Sequence, residues 1–299
     1  MINRTQEEII QDWPKSWDMP VVSVLCLAYN QESYISQTLD GFLMQKTDFP
    51  FEVIVHDDAS TDETANIIRE YENKFPKIIK PIYETENQYS KNDGRLGQIM
   101  DDACNGKYWA YCEGDDYWID ENKLQKQVEI LESDKSASMV YTAFNCIDAK
   151  GDSVNSEYHN HLMNVSFSGD IFSKLLAGSF VLTCTTMYRS EVLLDPLKKE
   201  SPVDMDYLNF LFASAKGKCM YMNEVTAKYR IHGGGATQMR KKQVFKNCVE
   251  IRRFVFHQWL LGKFPRRGIF YGVCLCLRYL RTQRRANKIL ANWPTEQNA

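Results

Sequence analysis

The sequence has no Cys-x-x-Cys pair, although it holds nine cysteines, at 26, 104, 112, 146, 184, 219, 248, 274 and 276. An odd number without that spacing suggests neither a disulfide framework nor a zinc site, and reduced cytosolic thiols are the simpler account. Long apolar runs are missing too: none reaches the roughly 18 residues of a membrane-spanning helix. The first residues, Met1 to Glu8, lack an apolar signal region, so a cytoplasmic chain is expected rather than a secreted or membrane-spanning one. No glycine-rich Gly-x-Gly-Thr-Arg-like loop follows the first apolar strand, which counts against nucleotidyl transfer on an α/β sheet. Neither sign of charge dominates, the formal net charge over 299 residues being −3. That balance hides a division. Residues 239–299 carry 14 Lys and Arg against two acids, about +12, whereas the remainder carries 22 against 37, about −15. The two parts face different partners.

What is present is the make-up of a folded chain, 44% hydrophobic and 12% aromatic, long enough for one α/β domain with a tail or for two domains. Val21 to Ala28 is a continuous apolar run of the kind found in a strand buried on both faces. Tyr34, Ile35, Thr38, Leu39, Phe42 and Leu43 follow at helical spacing, with Asn30 to Ser33 available as caps. Phe51 to His56 predicts a second strand, opening into Asp57-Asp58-Ala59-Ser60-Thr61-Asp62-Glu63-Thr64. There Ser60 and Glu63 have the spacing of a capping box for a helix through Ala65, Ile68 and Tyr71. Ile78 to Tyr83 predicts a third strand, and Leu96 to Asn105 a helix that returns the chain to a fourth, Tyr108 to Cys112. Alternating strands and helices imply a parallel sheet with right-handed crossovers. Polar strand ends at Asn30, Asp57/Asp58 and Glu113 to Asp116 then share the edge at which such sheets bind ligands.

The fourth strand ends in Glu113-Gly114-Asp115-Asp116-Tyr117-Trp118, three carboxylates within four positions. As the glycine frees the backbone, neighbouring carboxylates converge in the loop. Like charges at that range disfavour each other's ionised form unless a cation sits among them, and Mg²⁺ takes one or two carboxylates together with substrate phosphates. A solvated acidic turn before a helix capped near Asp120 is the plainer alternative. Leu124, Val128 and Leu131 give that helix a stripe, and Ser138 to Phe144 makes a further strand. His159 and His161 have metal-binding spacing, but the polar stretch around them, Asp148 to Gly169, reads as a surface loop of solvated histidines.

Val22-Ser23-Val24 with Tyr29-Asn30-Gln31-Glu32, the Asp57 to Asp62 stretch, Gly106-Lys107-Tyr108 and the Glu113 to Trp118 cluster resemble, in order and spacing, family 2 glycosyltransferases of the GT-A fold. The likeness covers roughly residues 20–235. It implies an α/β nucleotide-diphospho-sugar transferase fold, a mostly parallel central sheet flanked by helices with a helical C-terminal extension. The layout is then an N-terminal extension (1–19), a catalytic domain (20–240) and a basic helical region (241–299). The resemblance also implies inverting transfer of a hexosyl or N-acetylhexosaminyl group from a nucleotide-sugar donor to a hydroxyl of a glycan or lipid-linked saccharide. Such transfers serve bacterial polysaccharide, O-antigen or capsule synthesis, with Mn²⁺ or Mg²⁺ as cofactor.

By the same resemblance Ala28, Tyr29, Asn30, Glu32, Asp57 and Asp58 hold base and ribose, and Glu113 and Asp115 the ribose and diphosphate. Asp116, with Asp115 beside it, is the first choice for metal ligand; Glu113 stands where many relatives have Asp. His232, within Lys228 to Thr237, approaches metal and diphosphate, and Lys91 or Arg95 assists the departing diphosphate. Gly233-Gly234-Gly235 permits a loop that folds over the donor. Phe180 to Arg189 resembles the strand that backs the acceptor side. Asp204, in Val203-Asp204-Met205-Asp206, matches the base that takes the acceptor hydroxyl's proton, a task suited to a carboxylate in a partly desolvated cleft. Asp206 is the alternative, because Val203 departs from the family pattern. The plainer readings are two acids favoured by a helix dipole, or a nucleotide-sugar-binding module without turnover.

Beyond Val244, residues Phe245, Cys248, Val249, Val255, Phe256, Trp259 and Leu260 form helical stripes. Phe270 to Leu280 is a short apolar stretch among Lys263, Arg266, Arg267, Arg278, Arg281, Arg284 and Arg285. Basic residues around amphipathic helices suit an anionic membrane, with Phe254, Phe256, Trp259, Phe270 and Tyr271 as the apolar part. The expected place is peripheral, at the inner face of the cell membrane. No recognised nucleic-acid module accompanies these residues, so nucleic acid is not an expected partner. Helices packed on the catalytic domain, or an oligomer contact, are the alternatives.

Overall fold

The computed structural model describes residues 3–293 apart from 92, 156–161, 163–165, 236–240 and 266–268. His159 and His161 thus lie outside the described residues. The apolar runs become strands β1 (Val22–Ala28), β2 (Phe51–Asp57), β3 (Ile79–Tyr83), β4 (Tyr108–Tyr111), β5 (Tyr117–Trp118), β6 (Ala137–Asp148), β7 (Met187–Arg189) and β8 (Lys218–Ile231). The helices are α1 (Gln6–Ile10), α2 (Ile35–Leu43), α3 (Thr64–Lys74), α4 (Arg95–Ala103), α5 (Lys123–Ser133), α6 (Phe172–Leu175), α7 (Ser190–Leu193), α8 (Pro196–Lys199), α9 (Asp206–Lys216), α10 (Lys241–Leu260) and α11 (Ile269–Ala291).

One eight-stranded sheet has the order β3-β2-β1-β4-β7-β6-β8-β5. β3, β2, β1 and β4 run parallel, joined by helical crossovers as the alternating pattern predicts. β7 is antiparallel to both β4 and β6, and β5 is antiparallel to β8, while β6 and β8 pair in parallel. The second half of the sheet is therefore mixed. Of the expected strand Phe180 to Arg189, only Met187–Arg189 is extended. Thr185 and Thr186 turn their hydroxyls back onto the carbonyls of Leu182 (2.7 Å) and Thr183 (2.8 Å), tightening Thr183–Thr185 into a 3₁₀ turn.

β1 buries Val22, Val24, Leu25 and Cys26, both faces covered. Ile35, Leu39, Phe42 and Leu43 of α2 and Leu124, Val128 and Leu131 of α5 are buried against the sheet, as their spacing requires. The segment before residue 20 is seated on the domain. The Trp13 indole donates to the Thr47 hydroxyl (3.0 Å) and lies edge-on to Phe51 (5.3 Å between centroids), and Gln6 accepts from the Lys77 amide (2.7 Å).

The capping box expected at Ser60 and Glu63 does not form. α3 begins after Glu63 with no side-chain cap of its own, and the Ser60 hydroxyl accepts the Asn30 amide instead (2.9 Å). The Glu63 amide is met by the Glu32 carboxylate (3.0 Å), so the helix end takes its partner from the loop after β1.

At the C-terminus, α10 packs on α9 and buries Val249, Ile251, Val255 and Phe256, and α11 packs on α10. Of the aromatics expected to face a membrane, Phe256 and Trp259 turn inward instead and Phe254 is half-buried, while the side chains of Phe270 and Tyr271 lie outside those described. Phe256 stacks on Tyr279 of α11 (3.8 Å between centroids) and on Trp259 (6.0 Å), so that flat rings fill the seam between the two helices.

Candidate active site

The C-terminal ends of β1 and β2 are braced to each other. Asn30 adopts a left-handed conformation (φ 51°), which an asparagine tolerates, and its side-chain oxygen accepts the Thr61 amide (2.8 Å). The Glu32 amide donates to Asp62 (3.1 Å) and the Gln31 amide to the Thr64 hydroxyl (2.7 Å). Asn30 and Glu32, expected to hold base and ribose, thus hold the two loops in register. Asp58 receives the Gln88 amide on one oxygen (2.6 Å) and the Tyr89 amide on the other (3.0 Å), which fixes the loop after β3. Asp57 differs. It is buried, and although its Oδ2 accepts from the Ser60 amide (3.3 Å), its Oδ1 has no partner among the described residues. An orphaned acceptor of that kind calls for a donor from outside the chain. Tyr29, just past Ala28, presents an exposed ring.

The acidic loop after β4 is shaped by its glycine and by the far end of β8. A Cβ on Gly114 would lie 2.3 Å from the Gln31 side-chain oxygen and 3.1 Å from Ile35, so only glycine passes there. β5 pairs with β8, Tyr117 opposite Lys228, and delivers Arg230 and His232 to the loop. The buried Arg230 donates its guanidinium to the Asp115 carbonyl (2.8 Å), Gln37 (2.7 Å) and the Asp148 carbonyl (3.3 Å), and lies over Tyr34 (4.5 Å).

Asp115 and Asp116 have opposite fates. Asp115 is 18% exposed and meets His232 Nε2 through Oδ2 (2.8 Å). Asp116, the expected first ligand of the metal, is 2% exposed and turned inward. Its Oδ1 accepts the Arg230 amide (2.7 Å) and its carboxylate also receives the Cys184 thiol. Burial first, then the Asp115 charge, pushes its pKa well above the carboxylate range. A carboxylate engaged that way shapes the loop.

On the other side of Glu113 stands α9. Asp206, its first residue, is half-buried, accepts the Thr183 hydroxyl (2.7 Å) and shares a hydrogen bond with Glu113. Burial, with the Asp206, Asp116 and Asp115 charges behind it, raises Glu113 strongly, and burial raises Asp206 as well, so the pair is disposed to share a proton. Asp204, expected as the base, is exposed and rests on α4, where a Cβ at Gly97 would collide with its carboxylate. Nearby Asp101 is pushed up to about 6 by burial, partly offset by Lys198 3.8 Å away. Lys91 pairs with Glu86 (3.0 Å), and Arg95 opens α4 on the exposed side; neither is drawn into the acidic loop.

Sequence reasoning passed over Arg230, Cys184 and Thr183. Arg230 sat in the stretch quoted for His232, but nothing local shows that its amide and guanidinium both bind the acidic loop. Among the described residues, the donor chemistry between Asp115 and His232 fits a divalent cation. The Asp115 oxygen and His232 nitrogen converge from two elements, and a carboxylate–imidazole pair suits Mn²⁺ better than Mg²⁺, which prefers oxygen alone. Among the described residues no third His, Cys, Asp or Glu joins them, so phosphate oxygens would complete the shell.

Residues 23–195 match the family described as Glycosyl transferase family 2. An uncharacterised protein of Mycobacterium tuberculosis is 36% identical over 217 residues, 72% of this chain, and the chain spans 60% of that relative's length. The Escherichia coli UDP-Glc:alpha-D-GlcNAc-diphosphoundecaprenol beta-1,3-glucosyltransferase WfaP is 26% identical over 229 residues, 76% of this chain and 84% of that enzyme. The crystal structure of S. aureus TarS 1–349 in complex with UDP-GlcNAc superposes with a TM-score of 0.65 at 18% identity, covering 92% of this chain and 77% of that one. That likeness shows the GT-A fold. With a family match over more than half its length, the chain belongs to glycosyl transferase family 2.

Proposed function

We propose that this chain moves a sugar from a nucleoside-diphosphate donor to a hydroxyl of a glycan or lipid-linked saccharide, with inversion at the anomeric carbon. The product would enter cell-surface polysaccharide. The observation that carries the reading is the meeting, on one sheet edge, of the Asn30, Asp57/Asp58 and Glu113–Asp115 strand ends with His232. Family membership sets the reaction class, and the lipid-diphosphate acceptor in the E. coli relative's name supports an acceptor presented at the cytosolic face of a membrane.

The unpartnered Asp57 oxygen supports base recognition, since an acceptor there needs the N–H that a nucleobase supplies. A Mn²⁺ or Mg²⁺ ion held by Asp115 and His232 would supply positive charge to the departing nucleoside diphosphate. The base is assigned to Asp206 in preference to Asp204. Asp206 opens α9, where the helix dipole favours the anion, and is held by the Thr183 hydroxyl beside Glu113, whereas Asp204 is exposed and rests on α4. As the acceptor oxygen bonds to the anomeric carbon, its proton passes to Asp206, and the nucleoside diphosphate leaves with the electron pair of the broken bond.

Nucleoside-diphosphate release from UDP-, GDP-, dTDP- and CDP-sugars with Mn²⁺ or Mg²⁺, read beside thermal stability, tests this. A bound donor at 100 times its Kd raises stability by about 2.7 kcal/mol. No stabilisation by any of the four sugars would refute donor binding. Stabilisation without turnover on any saccharide acceptor would leave a binding module, and pyrophosphate release would mark a nucleotidyltransferase.

A further inference from the structure

We propose that the outward face of α11 is a docking surface for an anionic lipid bilayer. Which face is outward follows from packing. A Cβ at Gly272 would lie 3.2 Å from the Trp259 ring, Tyr279 stacks on Phe256, and Leu275 and Ala286 are buried. The opposite side carries Val273, Leu277 and Leu280, which are 54%, 51% and 51% exposed. Their spacing, i, i+4 and i+7, sets them in one line along the helix. Arg278, Arg281 and Arg285 form the neighbouring line, and all three are exposed. From Ile269 to Ala291 there are five basic residues and no acid. Beside the line lies a groove of about 420 Å³ lined by Ser173, Leu277, Arg278, Arg281 and Thr282, in which Arg278 donates to the Ser173 hydroxyl (3.1 Å).

The charge pattern selects the occupant. In a two-fold dimer through this face, arginines would stand against arginines, which disfavours a second copy. Nucleic acid would satisfy the arginines and leave the aliphatic line in water. An anionic bilayer satisfies both: phosphates meet the arginines while the leucines enter the acyl boundary, as an in-plane amphipathic helix does. At 23 residues the helix is about 34 Å long, yet among the described residues no helix is apolar enough to cross a membrane, so α11 lies along the surface. The inference rests on this face alone and is independent of the transferase reading, which would give it a use.

The test is flotation of the full chain with vesicles of phosphatidylcholine alone or with added phosphatidylglycerol. Recovery is expected only with the anionic vesicles and should fall at 1 M salt, where the screening length drops from about 8 Å to about 3 Å. Arg278→Gln, Arg281→Gln and Arg285→Gln together should weaken binding, by about fivefold for each charge in reach. Val273→Ser with Leu277→Ser should weaken it at low salt too. Unchanged unfolding midpoints show that these exposed variants fold. Equal recovery with neutral and anionic vesicles, or full binding by the triple arginine variant, overturns the proposal. So does a dimer in sedimentation that Leu277→Ser converts to monomer. Vesicle binding needs no donor or acceptor, so its failure is separable from failure of the transfer reaction.

Discussion

The proposed donor edge of the sheet and the C-terminal helix pair are built from similar material, charged side chains interleaved with aromatic and aliphatic ones, and the fold treats them oppositely. At the donor edge most polar side chains are answered from another loop: Asn30 by Thr61, Glu32 by Glu63, Asp58 by Gln88 and Tyr89, Asp116 by Arg230. On α11 the arginine and leucine lines project outward, and Arg278 reaches across to Ser173. A region braced from within holds its geometry before any ligand arrives, which is what a transfer site needs. A region with an uncovered apolar line has its free energy lowered only by something outside the chain.

Breaking the braced region should have the larger consequences. Asp206→Asn is expected to lower kcat by about 10² to 10⁴ with donor affinity kept, while Asp204→Asn transfers at a near-normal rate; steady-state kinetics on one donor distinguishes the two. Asp115→Asn and His232→Ala should each weaken donor binding in Mn²⁺ on the order of 10- to 100-fold, and calorimetry without metal should show far smaller differences. Asp116→Ala should act on folding. It leaves the Arg230 amide buried without its acceptor, at a cost of about 1 to 3 kcal/mol in urea unfolding.

A smaller effect sits beneath the acidic loop. Lys123 is fully buried, donates to Gln127 (2.6 Å) and lies over Trp118 (4.4 Å), and burial pulls its pKa from 10.5 down to about 7. Between those values the unfolded chain holds a proton that the folded chain has released. Stability should therefore rise with pH across that window, by at most about 1.4 kcal/mol per unit, and Lys123→Met should remove the slope. The smallest change is expected on α11, where Leu277→Ser should alter stability by less than about 0.5 kcal/mol. A loss of several times that amount would mean the face is covered in the folded chain, and the contrast between the two regions would fail.

What the sequence by itself determined are the features that repeat within one element. An unbroken apolar run predicts β1, helical spacing predicts α2 and α5, and alternation of the two predicts the parallel half of the sheet. The acidic and polar strand ends fall on one edge for the same reason, since parallel strands must all finish on the same side. Only the tertiary structure decided which of two adjacent aspartates faces the cleft and which supports the loop. The answer depends on Arg230 and His232, which lie 114 and 117 positions from the aspartates they meet. It also decided that Phe256 and Trp259 fill a helix seam while Val273, Leu277 and Leu280 remain outside. Periodicity is a local property, readable from a few consecutive residues, whereas a hydrogen-bond partner or a packing neighbour exists only once distant segments have been brought together.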